Sequence, residues 1–275
     1  MIDRETLKGF HAWFDGYVQG FLFPDATLQK NSQVKIDHSK RVCTEIANLG
    51  RSLGMDEPGL HFAETAALFH DVGRFEQLSR FMTFSDHHSV NHAELGISVL
   101  KSEGVLDRLP ESDRDGLCGV ICNHNRFAIP QSESGFRLTM SRLLRDADKL
   151  DIYRIMIEYY RNGGGEDNTV ALGLLDIREI SPEVMEDLAA GRLVLSEHLR
   201  TIDDFKLMKM GWVYDLNFPA SFAAVRERSY LEAIRGMLPD TDEVCRAYTR
   251  VRTHLDAKCG VPSVSGIEMI AQSAS

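Results

Sequence analysis

Apolar residues recur at helical spacing along most of the chain. Between Ile36 and Leu53 they fall at Val42, Ile46 and Leu49, close to the 3.6-residue period of a helix that buries one face. Gly54 follows this stretch and is typical of a helix end. The period-two alternation that would predict β-strands is not convincing anywhere in the sequence. The pattern therefore predicts an all-α fold.

The same periodicity predicts four more helices in the first part of the chain: Leu60–His70 with its end at Gly73, Val90–Lys101, Asp113–Asn123 and Arg137–Tyr160. The glycine-rich stretch 162–168 that follows predicts a surface loop or lid. We expect an N-terminal helical segment (1–30), a core (31–160) and a C-terminal helical extension (161–275). In the extension, Ser181 before Pro182 predicts a helix start, and Gly191 a helix end.

Composition and charge narrow the class of protein. The 275 residues are 43% hydrophobic and 26% charged, which is typical of a globular chain. The formal net charge is −10, and no cluster of Lys and Arg predicts nucleic-acid binding. No apolar run approaches the roughly 20 residues of a membrane span. The acidic N-terminus does not resemble a signal peptide, so we expect a cytoplasmic protein.

The five cysteines do not predict a disulfide framework, because their number is odd in a fairly long chain. Cys118 and Cys122 precede His124 and raise the alternative of a zinc site. Both lie in an apolar helical stretch, where cysteine usually acts as a small buried hydrophobe. A structural zinc site would also need a fourth ligand. We therefore favour a packing role.

Each predicted core helix carries a metal-competent polar residue where apolar core would be expected, near a helix end in the first four helices and within the fifth. Each interval between them is long enough for a helix and a turn, which is how helical bundles assemble metal sites. Four imidazoles and two carboxylates favour a transition metal over Ca²⁺ or Mg²⁺. Asp71 is the candidate bridge between two ions. The candidate ligands are His38, His70, Asp71, His92, His124 and Asp148.

These motifs resemble those of the HD-domain metal phosphohydrolases. The segment 66–74 (AALFHDVGR) is similar to the central HD motif, and 146–151 (DADKLD) to the last motif of the family. His38 resembles the first histidine of the family. His92 and His124 match the two further histidines of its dinuclear branch. The resemblance covers roughly residues 30 to 160 and implies an HD-domain helical bundle.

By implication, one metal ion would be held by His38, His70, Asp71 and Asp148. Asp71, His92 and His124 would hold a second. The ions would be divalent transition metals, with Fe or Mn first and Zn, Co or Ni as alternatives. Asp71, Arg74 and Lys149 are the predicted catalytic residues. In that prediction the side chains of Arg74 and Lys149 contact substrate phosphate, although Lys149 could equally be a solvated helix lysine.

The expected reaction is hydrolysis of a phosphoester or phosphoanhydride (enzyme class 3.1) by a metal-activated water. The predicted substrate is a nucleotide or another small phosphorylated metabolite. The HD-GYP cyclic-dinucleotide phosphodiesterases are excluded, because Asn125 stands where they have a second histidine. His87 or His88 is a candidate proton donor to the leaving group. Two alternatives remain open: an HD-type diiron oxygenase and a non-enzymatic regulatory HD module.

Overall fold

A computed structural model describes residues 2–163 and 174–260 of the chain. Most of these residues are helical, and the β-pairing among them is an isolated bridge between Leu175 and Thr201. The predicted all-α fold class is confirmed. The chain divides into two compact units, Met1–Ile152 and Tyr153–Ser275. No helix in the described part of the chain is long and apolar enough to cross a membrane.

The described residues of the first unit form seven α-helices, the last of which continues into the second unit. Helix α3 is apolar on nearly all sides and packs against both α1 and α2. Helix α4 packs against α5, and α6 contacts α3 and α5. The helices are α1 (Arg4–Val18), α2 (Ala26–Ser52), α3 (Glu57–Phe69), α4 (Gly73–Phe81), α5 (His92–Ser102), α6 (Glu111–His124) and α7 (Gly135–Arg161).

Side-chain caps and glycines set the helix ends in this unit. Asp25 accepts a hydrogen bond from the Leu28 backbone nitrogen at the start of α2. At the other end Gly54 has φ +70°, and the Met55 nitrogen donates to the Gly50 carbonyl over 3.1 Å. This left-handed closure is the helix stop predicted at Gly54. The predicted start at Ile36 is ten residues late, because Asp25 caps a polar first turn that hydrophobic periodicity does not detect.

Gly73 differs from its predicted role. It begins α4, a helix that the sequence analysis did not anticipate, and the predicted helix end there is wrong. A Cβ atom at Gly73 would lie 2.1 Å from the His92 backbone oxygen and 2.5 Å from the Gly96 nitrogen. The missing side chain thus lets α4 and α5 cross at backbone contact. That crossing brings the start of α5 next to the end of α3.

The second unit has its own apolar core. Val184, Leu188, Leu207, Val213 and Val251 are among its fully buried side chains. Besides the end of α7, its described helices are α8 (Pro182–Ala189), α9 (Ile202–Gly211), α10 (Pro219–Glu227), α11 (Tyr230–Arg235) and α12 (Asp242–Lys258).

The predicted helix between Ser181 and Gly191 is present as α8. Ser181 does not cap it by side chain, because its hydroxyl donates to Asp204 Oδ2 over 2.7 Å. Asp204 also completes a capping box with Thr201 at the start of α9. Gly191 ends α8 with φ +70°, as predicted. The predicted loop or lid at 162–168 lies mostly outside the described residues.

A candidate dinuclear metal centre

The six predicted ligands come together in the first unit. His38 projects from α2, His70 and Asp71 lie at the end of α3, and His92 is the first residue of α5. His124 is the last residue of α6, and Asp148 lies in α7. The side chains of the histidines and Asp71 are at most 3% exposed, whereas Asp148 is 15% exposed. The cluster is therefore buried, with an opening on the side of Asp148.

Four of the six residues form a first cluster around Asp148. The His38 Nε2 atom lies 3.2 Å from His70 Nε2 and 3.1 Å from Asp148 Oδ1. The His70 Nε2 atom is 3.7 Å from the same Asp148 oxygen. Asp71 Oδ2 is 3.6 Å from both imidazole nitrogens. Two nitrogen and two oxygen donors therefore surround one point.

The other carboxylate oxygen of Asp71 faces a second cluster. Asp71 Oδ1 lies 3.2 Å from His92 Nε2 and 3.9 Å from His124 Nε2, and these two nitrogens are 2.9 Å apart. Ligand atoms of His70, Asp71 and His124 also lie within 4.8 Å of one another, so the two clusters adjoin. Asp71 thus presents one oxygen to each cluster, which is the geometry of a bridging carboxylate.

The spacing of these atoms fits metal coordination. Transition-metal bonds to histidine nitrogen and carboxylate oxygen are about 2.1 Å long, so neighbouring ligand atoms around one ion stand about 3.0–3.4 Å apart. Most of the distances within each cluster fall in or near that range. The donor set of imidazole and carboxylate groups is one that suits Fe, Mn, Co, Ni and Zn.

Hydrogen bonds of the Nδ1 atoms determine which nitrogen of each histidine ring faces the site. Nδ1 of His70 donates to the Ala67 carbonyl over 2.7 Å, and Nδ1 of His124 to the Ile121 carbonyl over 2.6 Å. Each acceptor lies three residues earlier, within the turn that ends the helix. In the neutral ring the proton then resides on Nδ1, and the Nε2 lone pair points into the cluster.

The remaining two histidines are backed by carboxylates. His38 Nδ1 donates to Asp151 Oδ2 over 2.7 Å, and Asp151 in turn accepts from the Arg41 guanidinium at 2.6 and 3.0 Å. His92 Nδ1 donates to Asp86 Oδ2, also over 2.7 Å. All four Nε2 lone pairs therefore converge. Two such lone pairs 2.9 or 3.2 Å apart repel each other unless a cation or a proton lies between them, and the site consequently fits a cation.

Electrostatics reinforce the two carboxylates of the centre. Burial by itself would raise the pKa of Asp71, but Lys35, His70, His92 and Arg74 together hold this pKa well below its ordinary value. The pKa of Asp148 is likewise held low, against burial, by His38 and His70. Both groups are thus ionised across the physiological range. Each offers the negative charge that a divalent ion requires.

The pKa values of His124 and His70 are shifted in opposite directions. Burial, with His92 and His70 as neighbours, places the pKa of His124 well below its ordinary value. Burial also opposes the charge on His70, but Asp71 and Asp148 outweigh it and raise the pKa of that ring. His124 is therefore neutral and ready to coordinate at neutral pH. Metal binding at His70 must displace the proton that the neighbouring carboxylates favour.

Lys35 is a residue of the site that sequence reasoning missed. Its Nζ atom lies 2.7 Å from Asp71 Oδ2, with the side chain 18% exposed, and 5.7 Å from the centre of the Phe84 ring. Lys35 precedes His38 by three residues on α2, so helical spacing puts both on one face. The same three-residue spacing relates Asp151 to Asp148 on α7. This three-residue spacing can be seen in the sequence, but it does not by itself indicate what Lys35 or Asp151 does.

Arg74, predicted to contact substrate phosphate, lies beside the centre. Its Nη1 group donates to the Gln77 side chain and to the Phe84 carbonyl, and it donates to Asp86 Oδ1 over 2.9 Å. The Nε atom is 3.4 Å from Asp71 Oδ1. Arg74 Nη1 is thus one of the groups that hold the Asp86 carboxylate. These contacts give Arg74 a positioning role at Asp86, and its contact with a substrate phosphate stays a prediction.

Lys149 is 6% exposed, so the alternative interpretation of a solvated helix lysine is wrong. Asp146, two residues before Asp148, is fully buried. His87 and His88 are exposed and follow Asp86 in a short 3-10 turn. Cys118 and Cys122 are partly exposed on α6, and Cys122 precedes His124 by two residues.

A buried arginine fixes the end of α6. The Arg145 guanidinium donates to the carbonyls of Asn123 and His124, each over 3.2 Å, and to those of Arg126 and Phe127. The last carbonyls of a helix lack partners within it, and the negative end of the helix dipole favours a cation there. Arg145 lies three residues before Asp148 on α7. It therefore joins the backbone of one ligand to the helix that carries another.

The sequence profile of the HD domain family matches residues 36–153. Residues 36–153 are an HD domain. The match begins just before His38 and ends just after Asp151, so it includes all six candidate ligands. Searches of curated proteins and of solved structures found no match to the chain. HD domains bind divalent metal ions and indicate a superfamily of metal-dependent hydrolases.

Proposed function

We propose that this HD domain is a dinuclear metal phosphohydrolase that acts on a nucleotide or another small phosphorylated metabolite. The observation that carries the proposal is the position of Asp71, whose two oxygens face two separate clusters of imidazole nitrogens. His38, His70, Asp71 and Asp148 would hold one ion. Asp71, His92 and His124 would hold the other.

When bound, two such ions lower the pKa of a water molecule and neutralise charge that develops on phosphoryl oxygens. The residues of the chain supply the fixed geometry. Their Nδ1 hydrogen bonds orient all four rings before any ligand arrives, so little reorganisation is needed. The burial of the ligands limits access to the side on which Asp148 and Lys35 are partly exposed.

Lys35 is the strongest candidate for contacting a substrate phosphate. Its ammonium group is within hydrogen-bond distance of Asp71, and the Lys35 side chain is 18% exposed, so this residue lies where the site meets solvent. Arg74 and Lys149, the cations predicted from the sequence, stay proposals for the same task. A positive group at this opening attracts a phosphate to a protein whose formal net charge is −10.

Metal content and phosphate release, measured on the same preparations, test this function. Wild type, Asp71→Ala and Asp107→Asn would be purified without chelator and assayed against a panel of nucleotides and phosphoesters. Asp107 is a matched control, because it is an exposed carboxylate of the same unit. We expect about two transition-metal ions per chain and phosphate release in wild type and control, and loss of both in Asp71→Ala.

Other results would overturn the proposal in different ways. One ion per chain would leave His92 and His124 as residues that only line the site. Two irons, with oxygen uptake and no phosphate release, would favour an oxygenase of the same ligand set. A protein without transition metal would favour a regulatory module.

A further inference from the structure

The two clusters of candidate ligands are held in place by different kinds of structure. His38 and its partner Asp151 both lie on long helices, α2 and α7, and the Asp151 side chain is only 2% exposed. His92 depends instead on Asp86, which lies in a single 3-10 turn between α4 and α5 and is 33% exposed. One cluster is thus fixed by the helical bundle, and the other by a loop.

Asp86 joins three elements around His92. Besides the His92 ring, its carboxylate accepts hydrogen bonds from Arg74 and Gln77 of α4, each at 2.9 Å, and from Asn125 at 3.2 Å, next to His124. Gln77 also holds the same loop through the Ser89 hydroxyl and the Val90 carbonyl. The loop is therefore anchored at the point where it meets the ligand.

We propose that Asp86 is the positioning residue of the Asp71–His92–His124 cluster and makes it the weaker of the two metal positions. This inference rests on the dinuclear site of the proposed function. The carboxylate holds the Nδ1 proton of His92, so that Nε2 faces Asp71 Oδ1 at 3.2 Å. The contacts of Asp86 are partly exposed, whereas those of Asp151 are buried, and solvent-exposed contacts open locally more easily than buried ones. His92 is therefore held less firmly than His38, which weakens binding at this position.

Titration calorimetry of the chelator-treated full chain with Mn²⁺ tests the proposal. We expect two binding events of unequal affinity in wild type. Asp86→Asn lowers the weaker affinity by about 10- to 100-fold and leaves the tighter one unchanged, because partners of this kind tune metal affinity by that factor. Asp151→Asn is the matched variant at the other cluster and weakens the tighter event. Asp107→Asn changes neither.

The readouts separate positioning from folding. The thermal midpoint of each metal-free variant shows whether it is folded, and Asn125→Ser removes one donor to Asp86 without touching a ligand ring, so it lowers the same affinity by a smaller factor. Two unchanged affinities in Asp86→Asn, or loss of the tighter event instead of the weaker one, would overturn the role of Asp86. Absence of Mn²⁺ binding in wild type would overturn the dinuclear function itself.

Discussion

At the scale of single residues, hydrogen bonds outside the centre determine which atom of each histidine faces the metal site. The four histidines use Nδ1 for a carbonyl or a carboxylate, which leaves Nε2 for the site. Asp71 divides its two oxygens between the clusters. Lys35 is the cation nearest to Asp71, at 2.7 Å, and it lies where solvent enters. Its charge is therefore the one to test.

Replacing Lys35 with methionine keeps the length of the side chain and removes its charge. We expect Lys35→Met to lower kcat/KM for the phosphorylated substrate on the order of 10²-fold, the effect of losing one preorganised electrostatic contact. Metal content should remain at the wild-type value, because both oxygens of Asp71 are retained. Steady-state kinetics and metal analysis on one preparation check this.

Lys40→Met is the control for that variant. Lys40 lies on the same helix and pairs with Asp15 at the surface, with about half of its side chain exposed. Its removal should leave kcat/KM unchanged, since surface pairs contribute little. Equal activity in Lys35→Met and wild type would show that Lys35 does not contact the substrate.

At the scale of elements, the crossing of α4 and α5 determines whether His92 reaches Asp71. A methyl group at Gly73 would overlap the His92 carbonyl, 2.1 Å away, and the atoms it meets are backbone atoms that cannot rotate aside. We expect Gly73→Ala to lower the free energy of unfolding by at least about 1–3 kcal/mol, the usual effect of overpacking. Because α5 carries His92, its displacement should also abolish metal binding at the Asp71–His92–His124 cluster. Urea unfolding and metal analysis measure the two effects.

Gly9→Ala is the matched glycine substitution for this experiment. Gly9 lies within α1, and a Cβ atom there would have no neighbour within 4 Å. Alanine should raise the stability by roughly 0.5–1 kcal/mol, because glycine is a poor helix former. If Gly73→Ala were as stable as Gly9→Ala, close packing of α4 on α5 would not be the reason for glycine at position 73.

The elements also show what the sequence could predict. Hydrophobic periodicity located α3 and the ligands at its end, because a helix that is buried on most sides has an unbroken apolar run just before His70. The same periodicity missed α4, because glycine occurs both where helices end and where helices pack closely. The sequence alone does not distinguish these two roles at Gly73. It identified no role for Asp86, since a loop carboxylate has no fixed spacing to the ring it supports. Asp151 lies at helical spacing from Asp148, but spacing does not distinguish a ligand from the partner of a ligand.

At the scale of the whole molecule, a metal ion that binds only the folded chain must stabilise it. At a free-ion concentration of about 100 Kd the gain is roughly 2.7 kcal/mol per site. We expect a chelator to lower the thermal midpoint of the wild-type protein and to have no such effect on Asp71→Ala, which cannot hold the ions. Differential scanning calorimetry with and without chelator checks this expectation, and an equal shift in both proteins would contradict it.

The size of that shift should depend on pH, in a direction set by His70. The carboxylates of Asp71 and Asp148 outweigh burial and raise the pKa of this ring in the metal-free fold. Its proton therefore stabilises the metal-free protein below pH 6.5, the ordinary value, and this contribution is lost as the pH rises through the raised pKa. An ion that binds Nε2 must displace the same proton. The chelator-induced drop in thermal midpoint should consequently be larger at pH 8 than at pH 6, and a drop of equal size at both values would show that His70 does not exchange a proton for a metal ion.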